Sequence, residues 1–320
     1  MKLAAAAVVC ALALGAGGAA GRQLPPSYAL PSWSPDGTQL VFARASGPTG
    51  TVLTARADGK RLRRLARTGV LSQLVLSPSG RSIAYASRGR VVVIRRNGTG
   101  RRVVGSGADL AWSRDGSRLA FAGSAAGGPI QIVNVDGSGH RRLTSWRFDH
   151  APAWSPDGGR VAFTRASTAG GPDYLHVVGA DGTGLRRLGP QGASPAWSPD
   201  GASLAFWQRN PEGVVLSLYS FADAQVRTLT RTFPAFSRAP LWSPDGARLL
   251  LTVCGPFGAC RLDVAAADGS AVTRVAPGGD PVWSPSGLRI AFTNRGPCPA
   301  SGIYVAKADG TRARRLTPCR

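Results

Sequence analysis

The chain has 320 residues, 43% of them hydrophobic and 18% charged, enough apolar material to bury a core, which excludes an intrinsically disordered protein. Its net charge of +22 comes almost entirely from arginine, the only lysines being Lys2, Lys60 and Lys307. Such a field draws acidic partners.

In chain order, residues 1–20 read as a signal peptide. Met1-Lys2 is a short positive start, Leu3 to Ala16 an apolar run, and Gly18-Ala19-Ala20 supplies the small residues a signal peptidase needs. Cys10 lacks the flanking residues of a lipidation site, with Ala7 and Val9 at its −3 and −1 positions. No later stretch is long and apolar enough to span a bilayer, so residues 21–320 are expected to be an exported domain without a transmembrane segment: extracellular, cell-wall-associated or periplasmic.

From residue 33 onward one unit recurs. The pentapeptide Trp-Ser-Pro-Asp-Gly, with small changes, begins at Trp33, Leu76, Trp112, Trp154, Trp197, Trp242 and Trp283, at spacings of 43, 36, 42, 43, 45 and 41 residues. Each unit holds four short runs rich in β-branched and aromatic residues. One ends at the Trp, as in Ala151-Pro152-Ala153-Trp154; the next follows the turn, as in Arg160-Val161-Ala162-Phe163. The third resembles Ile130-Gln131-Ile132-Val133, and the fourth follows an Asp-Gly turn, as in Arg141-Arg142-Leu143-Thr144. Runs of this length bounded by Gly, Pro and Asp are strands, and no stretch after the leader sustains a helical period. In Ser-Pro-Asp-Gly the Pro presets one turn position, and Gly accepts the positive φ that closes the hairpin. Only the fifth unit breaks the second turn, with Ala222-Asp223-Ala224.

Seven four-stranded units of this size predict an all-β fold, a seven-bladed β-propeller of antiparallel blades filling one domain over 21–320. A solenoid is the competing repeat architecture, but it needs polar end caps, whereas a ring closes on itself. No exchange of strands between the chain ends is evident. Gln23 to Leu30 is a candidate to add at the edge of the seventh blade.

The pattern Pro-x-Trp-Ser-Pro-Asp-Gly, Leu-Ala-Phe, Ile-Tyr-Val, Asp-Gly, Arg-Arg-Leu-Thr resembles the TolB-type propeller repeat, which also occurs in dipeptidyl-peptidase-like serine peptidases. The resemblance covers about residues 30–317 and implies the propeller architecture. It does not carry a function, because this repeat serves unrelated activities. TolB has six blades behind a separate α/β domain; here there are seven repeats and no such domain, so its Tol–Pal role is not carried over. No G-x-S-x-G nucleophile elbow occurs, and no catalytic residue, metal site or cofactor is expected.

In a propeller, the turn after the Trp and the Asp-Gly turn share one face. The loops between second and third strands, and those joining blades, share the other, termed the top. Asp36, Asp115, Asp157, Asp200 and Asp245 are read as turn residues rather than a carboxylate ring, since Ser79 and Ser286 replace them in two units. The Trp residues are read as packing between blades. On the top face, Trp146, Arg147, Phe148, Asp149 and His150, with Phe233, Phe236 and Arg238, are the candidate contact residues; for Phe233 and Phe236, packing under their own loop is an equal alternative. Asp109, Asp149, His150 and Asp280 are the only acidic or imidazole groups placed where blades begin, too few for a strong metal site, and they are read as capping loops or pairing with arginines. The arginines of the fourth strands either guard exposed sheet edges or form a basic circumference for an acidic polymer. Nucleic acid is disfavoured because those strands interleave no aromatics.

After the leader four cysteines remain, and strand positions pair them as Cys254–Cys260, across one hairpin, and Cys298–Cys319. The reading is a monomeric, non-enzymatic scaffold binding a protein partner or an acidic cell-surface polymer. The alternative is a propeller-type lyase or hydrolase acting on an acidic polysaccharide.

Overall fold

The computed structural model describes residues 26–124, 126–230, 232–235, 238–255, 259–298 and 300–319. The leader read over residues 1–20 lies outside them, as does Phe236.

Seven separate four-stranded antiparallel sheets form, each from four consecutive strands in chain order. The blades cover residues 27–69, 71–106, 108–142, 149–191, 193–228, 241–277 and 279–315, and no helix occurs among the described residues. The inner strands are Ser27–Trp33, Leu71–Leu76, Ala108–Trp112, Asp149–Trp154, Ala193–Trp197, Leu241–Trp242 and Gly279–Trp283. Burial alternates along them and becomes nearly continuous in the second strands, which pack on both faces. Phe42, Tyr85, Phe121, Phe163, Phe206, Leu251 and Phe292 occupy one equivalent second-strand position, and all are fully buried.

The core is a ring of seven clusters, each made by the facing sides of two neighbouring blades. Blade 7 closes on blade 1 through the cluster that joins Tyr28, Phe42 and Leu53 to Ala291, Ile303 and Val305. The Tyr28 amide donates to the Ser301 carbonyl at 3.1 Å, and the Ser301 hydroxyl returns a bond to the Tyr28 carbonyl at 3.0 Å. Among the described residues closure exchanges no strand between the first and last blades, in line with the sequence. Ser27 to Leu30 does not add to the seventh blade: these residues form the start of the inner strand of blade 1, opposite Ala45 to Ala43. Their apolar side chains complete the blade 1 core, which an edge position on blade 7 would leave exposed. Residues 23–25 lie outside the described segment.

Both disulfides take the expected pairing, with Cα separations of 4.0 Å for Cys254–Cys260 and 5.6 Å for Cys298–Cys319. The first joins directly opposed residues of the second and third strands of blade 6. The second ties the chain end to the loop after the second strand of blade 7.

Candidate functional site

The bottom face is structural. In blade 1 the Ser34 hydroxyl donates to Asp36 at 2.5 Å, and the Thr38 amide donates to the same carboxylate oxygen at 3.0 Å. The Ser34 and Thr38 bonds hold the Asp36 carboxyl down at about 2. Asp115 is likewise lowered to about 2, by Ser113 and Ser117. Asp157, Asp200 and Asp245 repeat the pattern, so the apparent carboxylate ring is a set of closed local turns. Gly80 shows why glycine follows: its φ is +69°, and a Cβ there would sit 2.7 Å from Pro35 Cδ of the neighbouring turn.

The tryptophans face blade seams. Trp112, Trp197, Trp242 and Trp283 donate their indole N–H to a main-chain carbonyl of the preceding blade, at 2.9–3.2 Å. The arginine six residues after one Trp covers the Trp of the next blade. Arg118 lies 4.5 Å above Trp154, Arg160 4.7 Å above Trp197, Arg248 5.0 Å above Trp283 and Arg289 4.9 Å above Trp33. These four indoles are 7–9% exposed. Trp112 and Trp242 follow blades with Ser82 and Ser203 at that position, and both are only half-buried. They border a shallow hollow of about 380 Å³ at the bottom mouth, shared with Pro156, Pro199 and Pro244.

At the top mouth the inner strands bulge. The residue three before the Trp takes positive φ in five blades: Leu30, Asp109, Ala151, Ser194 and Asp280, with φ between 47° and 58°. Each of these non-glycine residues stores roughly 1 kcal/mol or more of strain, and the bulge re-aims side chains around the channel. Asp109 accepts from the Ala151 amide at 3.1 Å, and Gln73 accepts from the Leu110 amide at 2.5 Å. Arg238 forms an ion pair with Asp280. The polar groups of the mouth therefore clasp neighbouring blades. Gln73, Asp109 and Asp280 share one offset from the motif; Gln73 and the Asp173 partner of His150 did not stand out in the sequence.

The connection into blade 4 carries the most exposed of the expected contact residues. Trp146 is 41% exposed while its indole N–H is fixed on the Ala166 carbonyl at 2.8 Å. Phe148 meets it edge-on at 6.1 Å, and the Arg147 guanidinium lies 4.7 Å over the Phe148 ring. Asp149 turns inward, fully buried, and receives two bonds from Arg165 at 2.6 and 2.9 Å. It is a pairing residue rather than a contact residue, because its carboxylate faces no solvent. His150 Nε2 sits 3.4 Å from Asp173. Phe233 is also displaced from the surface. It extends the sheet of blade 5 by a bridge to Val214 and packs edge-on against Trp207 at 6.0 Å, 7% exposed. Trp207 and Phe233 bury one another, so the loop cannot present that ring. Arg238 keeps 38% of its side chain exposed despite its ion pair.

Among the described residues no group of three or more His, Cys, Asp and Glu is placed to hold a metal. His176 stacks on Phe163 at 5.6 Å, and burial pushes its imidazole below the ordinary range. No helix among the described residues is long and apolar enough to cross a membrane.

A family model described as TolB beta propeller domain matches residues 70–234. Among solved structures, an oligogalacturonate lyase in complex with manganese is similar at 17% identity with a TM-score of 0.71, covering 89% of this chain and 92% of that one. TolB from Acinetobacter baumannii is similar at 15% identity with a TM-score of 0.56, covering 82% and 74%. A puromycin-hydrolyzing peptidase from Mycobacterium tuberculosis is similar at 16% identity with a TM-score of 0.66, covering 91% of this chain and 53% of that one. These likenesses establish the fold alone. No curated protein matches in sequence.

Proposed function

The chain belongs to the TolB β-propeller family, and on that premise we propose that it is an exported, non-enzymatic binding scaffold that meets a protein partner on its top face. The observation that carries this reading is the ordered cluster of Trp146, Arg147 and Phe148. An exposed indole and guanidinium, fixed by their own contacts, pay little entropy on docking and are the residue types that anchor interfaces. Arg238, at the neighbouring mouth, is the second anchor. The two disulfides are compatible with an oxidising, exported setting.

The alternative, a lyase or hydrolase acting on an acidic polysaccharide, requires groups that converge on a substrate. At this mouth His150 faces Asp173, Asp149 is held by Arg165, and Asp280 by Arg238. Each titratable group has a protein partner, which supports binding over catalysis.

The test is capture from envelope and secreted fractions at two salt concentrations, using the wild type and W146A/R147A/F148A. A protein retained at both salts by the wild type and lost by the variant supports the reading. Stoichiometric metal in the purified protein, together with cleavage of an acidic polysaccharide, would replace it with the enzyme.

A further inference from the structure

Charge is distributed unequally around the ring. Residues 27–107, blades 1 and 2, hold thirteen arginines and Lys60 against two acids, Asp36 and Asp58. Residues 149–278, blades 4 to 6, hold eleven arginines against ten acids. A chain-wide taste for arginine does not explain this, because it acts on both halves. Blade 2 is the extreme. It is the only unit in which both turns have lost their carboxylate, to Ser79 and Asn97, and residues 71–107 contain no Asp or Glu.

The arginines also differ in what they touch. In blades 4 to 6, seven of the ten described arginines make a side-chain hydrogen bond, ion pair or ring contact, such as Arg165 on Asp149, Arg187 on Tyr174 and Arg261 on Asp263. In blades 1 and 2 only Arg56 does, with Asp58 at 3.6 Å. Twelve arginines there are solvated without such a partner, and all but Arg96 are exposed.

Four of them border one seam. Arg63 is opposite Thr54, on the side of blade 1 that carries Val52 toward blade 2. Arg90 shares its face with Val92 and Ile94, which pack on blade 1. Arg88 reaches across the top, so that a Cβ on Gly69 of blade 1 would lie 2.6 Å from its Nε. Arg96 lies at the bottom, where its charge helps hold down the Asp36 carboxyl of blade 1. The repeat elsewhere shows what is missing. Arg141, Arg227 and Arg314, equivalent to Arg63, donate to carbonyls of the next blade's turn at 2.7–3.0 Å. Arg63, like Arg102 and Arg186 at the same position, makes no such bond; what sets the seam apart is that the blade 2 turn carries Arg96 where the turns that accept those bonds have Ala57, Ala180 or Ala267.

We propose that the outer wall of blades 1 and 2, centred on the seam of Arg63, Arg88, Arg90 and Arg96, binds an acidic polysaccharide through guanidinium–carboxylate pairs. This surface is separate from the top-face cluster, so either can fail alone. Clustered like charges repel one another, and an anionic ligand relieves that repulsion. Charges spread over two blades suit a repeating polymer rather than a small anion, and guanidinium groups pair with carboxylates in bidentate fashion. The aromatic rings of these blades, Tyr28, Trp33, Phe42 and Tyr85, are all buried, which leaves no stacking platform for nucleic-acid bases.

The test compares R63Q/R88Q/R90Q/R96Q with R114Q/R186Q/R209Q/R274Q, which removes the same charge from unpartnered arginines elsewhere. Binding to immobilised alginate, neutral dextran and single-stranded DNA is measured across salt concentrations. The wild type and the second variant are expected to bind alginate within about twofold of each other, and the seam variant at least about tenfold more weakly. If the seam quadruple fails to melt cooperatively, the pairs R63Q/R90Q and R88Q/R96Q carry the same comparison. Equal losses in both variants, no alginate binding by the wild type, equal retention on dextran, or tighter binding to DNA than to alginate would each overturn the proposal.

Discussion

Blades 1 and 2 and blades 4 to 6 are copies of one unit, yet they use arginine in opposite ways. In blades 4 to 6 most guanidinium groups close contacts within or between blades, as Arg160 does over Trp197 and Arg227 on the Ala267 carbonyl. In blades 1 and 2 they lie in solvent with little acid nearby. The same residue type thus holds the ring together on one side and leaves a charged wall on the other. Sequence composition alone does not separate these roles; the partner atoms do.

The largest effect expected to sharpen that contrast is at Arg165. Replacing it with Met strands the fully buried Asp149 carboxylate and should cost about 3–5 kcal/mol in denaturant unfolding. Arg90→Met, in the solvated half, should stay within about 0.5 kcal/mol. Equal costs would break the distinction. Next comes C298S/C319S, whose sequence separation of 21 residues corresponds to about 3 kcal/mol of loop-closure stabilisation. The shorter Cys254–Cys260 loop should give roughly 2 kcal/mol. Calorimetry of the two pairs shows whether the closing blade depends on its bridge more than blade 6 does.

A matched pair at one repeat position comes third. Arg314→Gln removes the bonds to blade 1 and should cost about 1–2 kcal/mol. Arg63→Gln removes none and should leave the melting temperature unchanged or slightly raised. The smallest effect is in acid. Asp36 and Asp115 are lowered to about 2, so their turn bonds contribute fully above the ordinary carboxylate value and are lost as pH falls toward 2. D36S/D115S, which copies the Ser79 turn of blade 2, should therefore lose less stability than the wild type between pH 5 and pH 2. An unchanged slope would count against these turns as acid-sensitive points.

The propeller was legible because its signals are local and repeated: Trp-Ser-Pro-Asp-Gly fixes one turn, and Asp-Gly fixes the other. The disulfides followed from strand position. Contacts between blades were harder to read. That Arg118 covers Trp154 depends on knowing which unit lies beside which, and the offset of six residues means nothing before the ring is closed. For Phe233, in an aromatic and charged blade connection, the sequence leaves contact and packing under its own loop equal; its bridge to Val214 and its place against Trp207, which decide for packing, arise from tertiary structure. Asp149 stood in a polar, aromatic connection, and only its pairing across the sheet with Arg165 shows that it points inward.

The central claim is that equivalent repeats divide arginine between holding the ring and facing solvent. Its most direct test is urea unfolding of two quadruple variants with equal charge loss. R118Q/R160Q/R248Q/R289Q removes the four guanidinium covers from the tryptophans and should lose several kcal/mol, at about 1–2 kcal/mol each. R44Q/R63Q/R90Q/R101Q removes four solvated arginines and should be as stable as the wild type or more so. Equal destabilisation of the two, or a stable first variant, would contradict the account.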